Sequence, residues 1–432
     1  MAVDYCTMVL PSPALDPSRP HINVAILGHS GHGKSRLAVA LTERSFVHES
    51  RPWARNTRRI VYVDSPGFMI RSELVRHNRA SVIEHESPYR HYSSLDVPGA
   101  RRLSAAALSA AGVADVVVLV VSAMDGALAQ TREHALYARA LGIPHIIVFV
   151  SHCDVVSDSD QLDLAENDVR EVLTEVGYAG DDVAVIRGAL GNAQLSERWQ
   201  ATVDDLIATI DRSVQDPARD AEDSARATVL WRYDVAGQSR IALVHMQRGM
   251  LRKGDRLAIL YRGRRARVSV EDLRVFDRAV EAIAAGDIAT IKLAPLGEAL
   301  EWRRILRRGA VLSARDRTRL TSSMFADLRL LTAQEGGRHN GIFSGHRGYF
   351  CCGSTGVPGR IVLPPGKDTL RPGEEARRVI VDCQFAVPLE FPARFVLRDG
   401  TDGLQVKVGG APKWFGTCAT GVLTEACSES DR

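Results

Sequence analysis

Short apolar runs alternate with polar helical stretches through the first half of the chain, and a different rhythm fills the second half. INVAIL (22–27), VVVLVVS (116–122), IIVFVS (146–151) and VAVIRG (183–188) are rich in β-branched residues, the pattern of strands buried on both faces. Between them, KSRLAVALTERSF (34–46), TREHALYARALG (131–142) and the acidic amphipathic stretch from Asp158 to Val176 carry helical spacing. Strands alternating with helices predict an α/β domain with a mostly parallel sheet and helices on both faces. The pattern changes after Ile210. SVQDPARDAEDSA (213–225) is charged and contains proline, as a linker does. Beyond it come short strands with glycine turns, such as RGMLRKGDRLAILYRG, GRIVLPPG and RRVIVDCQF, the look of small all-β barrels. A break near Arg315–Arg317 splits this half in two. The expected organisation is a flexible extension over 1–20, an α/β P-loop domain over 21–212, a linker over 213–225, and β-barrel domains over 226–316 and 317–432.

Composition changes this picture little. Hydrophobic residues make up 45% of the 432 and charged residues 25%, an ordinary globular balance in which each domain can bury its own core. The net charge of +3, from 55 basic and 52 acidic residues, is too small to argue for nucleic acid by itself. Seven cysteines in odd number, with no CxxC pair, read as reduced thiols in a cytoplasmic protein without a zinc site. No run of 18 apolar residues occurs, so no membrane partner is expected. The first 20 residues lack the basic start and long apolar core of a signal peptide.

Gly28-His29-Ser30-Gly31-His32-Gly33-Lys34-Ser35 fits GxxxxGK[ST]. Glycines let the backbone wrap a phosphate chain, the lysine reaches the β- and γ-phosphates, and the serine hydroxyl ligates Mg²⁺. The buried strand before this segment and the helix after it oppose a chance match in a Gly-rich turn. His29 and His32 could suggest a metal pair, but both lie inside this loop, where a phosphate-loop role is favoured.

Four longer segments narrow the reading. GHSGHGKS (28–35), PYRHYSSLDVPGA (88–100), AMDGALAQTREHALYARALGIPHIIVFVSHCDVV (123–156) and EGGRHNGIFSGHRGYFCCGSTGVPGRIVLPPG (335–366) resemble, in this order, stretches of the elongation factor Tu family of translational GTPases. GDDVAVIRGAL (180–190) is similar to that family's segment closing over the guanine. The resemblance implies a GTPase domain followed by two β-barrels, GTP or GDP with Mg²⁺ as cofactor, and aminoacyl-tRNA and the ribosome as partners. A nucleotide exchange factor is a further partner of the family, and a monomer is expected. The implied nucleotide-binding set is Gly28, His29, Ser30, Gly31, His32, Gly33, Lys34, Ser35, Asp96, Gly99, Ser151, His152, Asp154, Ala189 and Leu190, with Ser35 and Asp96 holding the metal. Asp234, Arg338, His339 and Arg347 are the implied tRNA-facing residues.

The departures fall on the chemistry. The family's water-positioning histidine corresponds to Ala100, and losing such a group typically lowers the rate by powers of ten, so no catalytic residue is assigned. The Mg²⁺-binding threonine of the first switch corresponds to His77, and Asp64-Ser65-Pro66-Gly67 reads as a Pro-Gly turn. The base-reading NKxD is Ser151-His152-Cys153-Asp154, which keeps the guanine-reading carboxylate but predicts weaker binding. Ser30 and Gly31 replace the family's Val and Asp. In the first barrel an acidic pair becomes Tyr233-Asp234, and the asparagine facing the aminoacyl group becomes Ile288. Two arginine clusters, Arg262/Arg264/Arg265/Arg267 and Arg303/Arg304/Arg307/Arg308, are expected to be a solvated hairpin tip and a solvated helix face. Three functions stay open: a diverged paralogue with impaired GTP hydrolysis, a working factor that delivers aminoacyl-tRNA to the ribosome with or without resistance to an inhibitor, and a non-hydrolysing tRNA or protein adaptor.

Overall fold

The computed structural model describes residues 19–45, 60–62, 81–97, 111–190, 197–235, 238–275, 278–296, 304–314, 318–399, 407–408, 411–412 and 417–427. In the N-terminal domain the strands are β1 (His21–Gly28), β2 (Ile60–Tyr62), β3 (Ser81–Glu86), β4 (His91–Asp96), β5 (Val116–Ser122), β6 (His145–Ser151) and β7 (Val185–Arg187). They form one sheet in the order β2-β3-β4-β1-β5-β6-β7. The five strands from β4 to β7 run parallel, and β2 and β3 add antiparallel pairings at one edge. All seven residues of β5 are buried, as a central parallel strand requires.

Among the described residues the α-helices of this domain are α1 (Lys34–Ser45), α2 (Ala129–Leu141), α3 (Ser159–Glu175) and α4 (Glu197–Ser213). α3 begins after Asp158, whose carboxylate accepts the N–H of Asp160 at 2.9 Å, and α2 ends at Gly142 with φ +81°. Leu37, Ala38 and Leu41 of α1 pack with Leu206, Ile207 and Ile210 of α4 on one face of the sheet. Ala135, Leu136 and Ala138 of α2 and Val169 and Leu173 of α3 cover the other face. This is the α/β arrangement expected from the alternating pattern.

Two closed six-stranded antiparallel barrels follow. The first runs Arg256–Tyr261, Val311–Ser313, Arg226–Val235, Gln238–Arg248, Ile288–Pro295 and Arg264–Val275, closing where Arg256–Tyr261 pairs Arg264–Val275. The second runs Arg319–Leu330, Glu375–Leu389, Thr355–Val362, Arg347–Cys352, Ala393–Arg398 and Thr417–Ala426. Each has its own apolar interior, centred on Val229, Val244 and Ile291 in one and on Phe350, Phe395 and Val381 in the other. Closure removes the unpaired edges that open sheets expose. Among the described residues no helix is long and apolar enough to cross a membrane.

Named contacts tie the three units together. Asn23 donates to the Gly286 carbonyl at 2.8 Å, and Arg219 pairs with Asp115 at 2.6 Å, joining the α/β domain to the first barrel and the connecting segment. Arg398 pairs with Glu133 of α2 at 2.7 Å. Between the barrels, Glu390 accepts from Arg248 at 2.5 Å, and within the second barrel it accepts from Thr318 at 2.8 Å.

Candidate nucleotide site

The carboxyl ends of β1, β4, β6 and β7 meet at one edge of the sheet, with β1 between β4 and β5 where the strand order reverses. Such crevices are where open α/β sheets bind ligands. β1 ends at Gly28 with φ +147°, and a Cβ there would lie 2.2 Å from the Val120 carbonyl oxygen, so only glycine fits. The Gly28 N–H donates to Nδ1 of His134 on α2 at 3.1 Å. Gly31 and Gly33 also have positive φ, and the Gly31 position is open, with nothing within 4 Å of an added Cβ. α1 opens at Lys34 with no acidic residue in its first turn, which suits an anion at the helix N-terminus.

Lys34 is 5% exposed, and its ammonium donates to the His29 carbonyl at 2.6 Å. Burial lowers its pKa to about 8, opposed by the charge of Asp96. Asp96 ends β4 beside Ile26 and is 7% exposed. Burial raises its pKa, opposed by a hydrogen bond from Ser35 and by Lys34. One carboxylate oxygen of Asp96, Oδ1, is buried without a hydrogen-bond partner. A hard cation between Ser35 and Asp96 would satisfy that atom, and a hydroxyl plus a carboxylate completed by water and phosphate is the donor set Mg²⁺ accepts.

The two loop histidines differ. His29 is half-buried. His32 turns into the protein, where its Nδ1 accepts the Ser122 N–H at 3.2 Å and its Nε2 lies 3.4 Å from the Asp125 carboxylate. Burial lowers the His32 pKa to about 4. Its side chain anchors the loop to β5.

At the end of β6, Ser151 is 1% exposed, and its hydroxyl donates to the His32 carbonyl at 2.6 Å. This bond joins the loop after β6 to the loop between β1 and α1. His152 follows with φ +60°, its Nδ1 3.2 Å from the Ser151 hydroxyl oxygen. Cys153 is buried; its N–H donates to the Gly188 carbonyl at 3.1 Å, and burial raises its thiol pKa. Asp154 is exposed. Ala189 and Leu190 are buried, and an added Cβ at Gly33 would lie 3.6 Å from Leu190 Cδ1 and 3.7 Å from Ser151 Cβ. The phosphate loop, the base loop and the segment after β7 therefore share one corner.

Gly99, Ala100, His77 and the 64–67 turn lie outside the described residues. His85 and His91 are the described histidines nearest in sequence to Ala100. His85 is buried in the sheet against Ser94 at 2.8 Å, with its pKa lowered by burial to about 3. His91 begins β4 beside His21, about 17 Å along the strand from Asp96 at ordinary strand rise.

The RNA-facing candidates are separated. Tyr233 and Asp234 lie on the strand Arg226–Val235, with their side chains outside the described residues. Ile288 is 2% exposed and belongs to the same buried cluster as Leu230 and Leu243. The Arg338 guanidinium donates to both oxygens of Asp399 at 2.7 and 2.6 Å, with His346 2.9 Å from the same carboxylate. His346, Asp399 and Cys418 are close enough to suggest a metal trio, but Arg338 already occupies Asp399. His339 and Arg347 are exposed, close in sequence to Phe343, which is 63% exposed.

Reading the residues alone missed His134 and the inward turn of His32. His134 left a signal, a polar residue on the buried stripe Thr131, His134, Ala135, Ala138 of a helix. The inward turn left none.

A glycine-lined loop between β1 and α1, a carboxylate at the end of β4 and the loop Ser151–Asp154 packed against it after β6 define a P-loop nucleotide-binding domain of the GTPase class. Residues 19–216 match the family model of the elongation factor Tu GTP binding domain. The N-terminal domain is therefore a member of the elongation factor Tu family of GTP-binding domains, and the two barrels complete the architecture of its translational GTPases.

Proposed function

We propose that this protein binds GTP and GDP with Mg²⁺ at the crevice above β1 and β4, carries tRNA in the GTP state, and hydrolyses GTP far more slowly than a working factor. The observation that carries the nucleotide part is the meeting of Lys34, Ser35 and Asp96 in one buried corner, with an Asp96 oxygen lacking a partner. Lys34 would hold the phosphates, Ser35 and Asp96 the cation, and Asp154 the guanine edge. Bound Mg²⁺ would supply charge neutralisation between the phosphates. Slow hydrolysis follows from Ala100, whose methyl group can neither orient water nor donate a hydrogen bond. His339 and Arg347 are the basic groups available to an RNA backbone.

The test is single-turnover GTP hydrolysis with and without ribosomes, comparing the native chain with Ala100→His. The native chain should be about a hundredfold or more slower than the variant. A native rate equal to that of the variant, accelerated by ribosomes, sinks the slow-hydrolysis part.

A second reading, an adaptor that ignores the aminoacyl group, is favoured by Ile288. A buried aliphatic side chain offers nothing to an α-amino group. Equal binding of charged and uncharged tRNA, in GTP and in GDP alike, would establish the adaptor.

A further inference from the structure

The two barrels enclose a cleft of about 390 Å³ that lies apart from the P-loop. The first barrel supplies Arg232, Arg262, Arg307 and Arg308 to its lining, and among the described residues no carboxylate lines it. Aromatic rings line it too, Trp231 and Tyr261 from the first barrel and Tyr349 from the second. Hydroxyls of Ser354 and Thr355 stand on the second barrel's wall, and Thr355 ties the walls by donating to the Gly309 carbonyl at 3.1 Å.

Two of these arginines lie against rings. Arg308 lies over Trp231 at 5.4 Å, and Arg262 lies 4.9 Å from the Phe385 ring and 5.3 Å from the Tyr261 ring. A ring face fixes a guanidinium in place and leaves its positive charge uncompensated. Arg262 stands at the exposed hairpin tip expected for it, and its guanidinium lies against the Phe385 ring of the second barrel. It also has φ +46° and is followed by Gly263 at φ +77°. That two-residue turn favours asparagine or glycine at its first position, so a bulky arginine is held there against its backbone preference.

We propose that this cleft is a second nucleotide site, taking one nucleoside phosphate with its base against the aromatic wall and its phosphates on Arg262, Arg307 and Arg308. Guanidinium forks match phosphate oxygens in pairs, and the ring faces accept a flat base. The volume lies at the small end of ligand pockets, room for a mononucleotide and not for a strand. The site is independent of the P-loop reading, because it shares no residue with it.

The experiment is calorimetric titration of the full chain with ADP after saturation with GDP and Mg²⁺. One ADP per chain should bind, more weakly as salt rises. Arg262→Ala and Arg307→Ala, both at exposed positions, should each weaken ADP about tenfold while leaving GDP affinity unchanged. Lys34→Ala should lose GDP and keep ADP. No ADP binding, ADP displaced by excess GDP, or equal ADP affinity in the arginine variants overturns the proposal. Binding of a 5′-phosphorylated RNA oligonucleotide without any ADP binding also overturns it, marking a nucleic-acid track instead.

Discussion

At the phosphate end of the nucleotide site, Lys34 and Ser35 open α1 and Asp96 ends β4, and the three interact with one another in one corner. At the base end, Ser151 is buried with its hydroxyl committed to the His32 carbonyl, and Asp154 stands in solvent. The phosphate end thus keeps one buried carboxylate oxygen, Asp96 Oδ1, without a hydrogen-bond partner. The base end has given one of its two readers to internal structure. A shorter side chain explains the difference, because a hydroxyl on one carbon reaches the adjacent carbonyl and stops there. On this account most of the nucleotide affinity comes from the phosphates and a smaller part from the base.

The largest effect should come from Lys34→Ala. Losing a buried charge-assisted contact to phosphate should weaken GDP about a hundredfold, roughly 3 kcal/mol, in a fluorescent-nucleotide titration. Unchanged affinity would remove the phosphate end from the account.

Acid should come next, and it should act on the phosphate end. Burial lowers the pKa of His134 to about 3 and that of His32 to about 4, from an ordinary 6.5. Above pH 6.5 both are neutral whether folded or unfolded, so their full contribution is present. As pH falls below 6.5 the unfolded chain takes up protons that the folded chain refuses, and stability is lost until the folded pKa is reached. At pH 5 each should cost about 2 kcal/mol. His85 and His245 act with the same sign elsewhere, so the check is urea unfolding at pH 7 and pH 5 for the native chain and for His134→Asn. The variant should lose less stability between the two pH values, and an equal loss would contradict a neutral His134.

Ser151→Ala should cost about 1–2 kcal/mol of stability by leaving the His32 carbonyl unpaired, and should weaken GDP by uncoupling the two loops. Wild-type GDP affinity in this variant would show that the bond has no part in binding. The smallest effect should be Asp154→Ala, about tenfold weaker for GDP and unchanged for ATP in a competition titration. A larger loss than in Lys34→Ala would invert the comparison of the two ends.

Legibility followed the range of the interactions. β5 spans the same seven residues that the apolar run marked out, and α3 starts one residue after Asp158 because that side chain caps it. The P-loop and its flanking elements were readable because the loop chemistry is local, fixed by glycines and by Lys34 and Ser35. β3 gave little warning, since SVIEHE carries charge and pairs antiparallel between β2 and β4. The Ser151–His32 bond joins residues 119 positions apart, and the Gly28–His134 bond joins residues 106 apart. Neither can be read from spacing. Arg338 looked like a phosphate contact beside His339, yet Asp399, 61 residues on, holds its guanidinium.

The most direct test is equilibrium titration of the full chain with a fluorescent GDP analogue, with and without Mg²⁺, using ATP and GTP as competitors. The account predicts tighter binding with Mg²⁺, displacement by GTP, and no displacement by ATP at the same concentration. Absence of binding, or displacement by ATP as effective as by GTP, would contradict it.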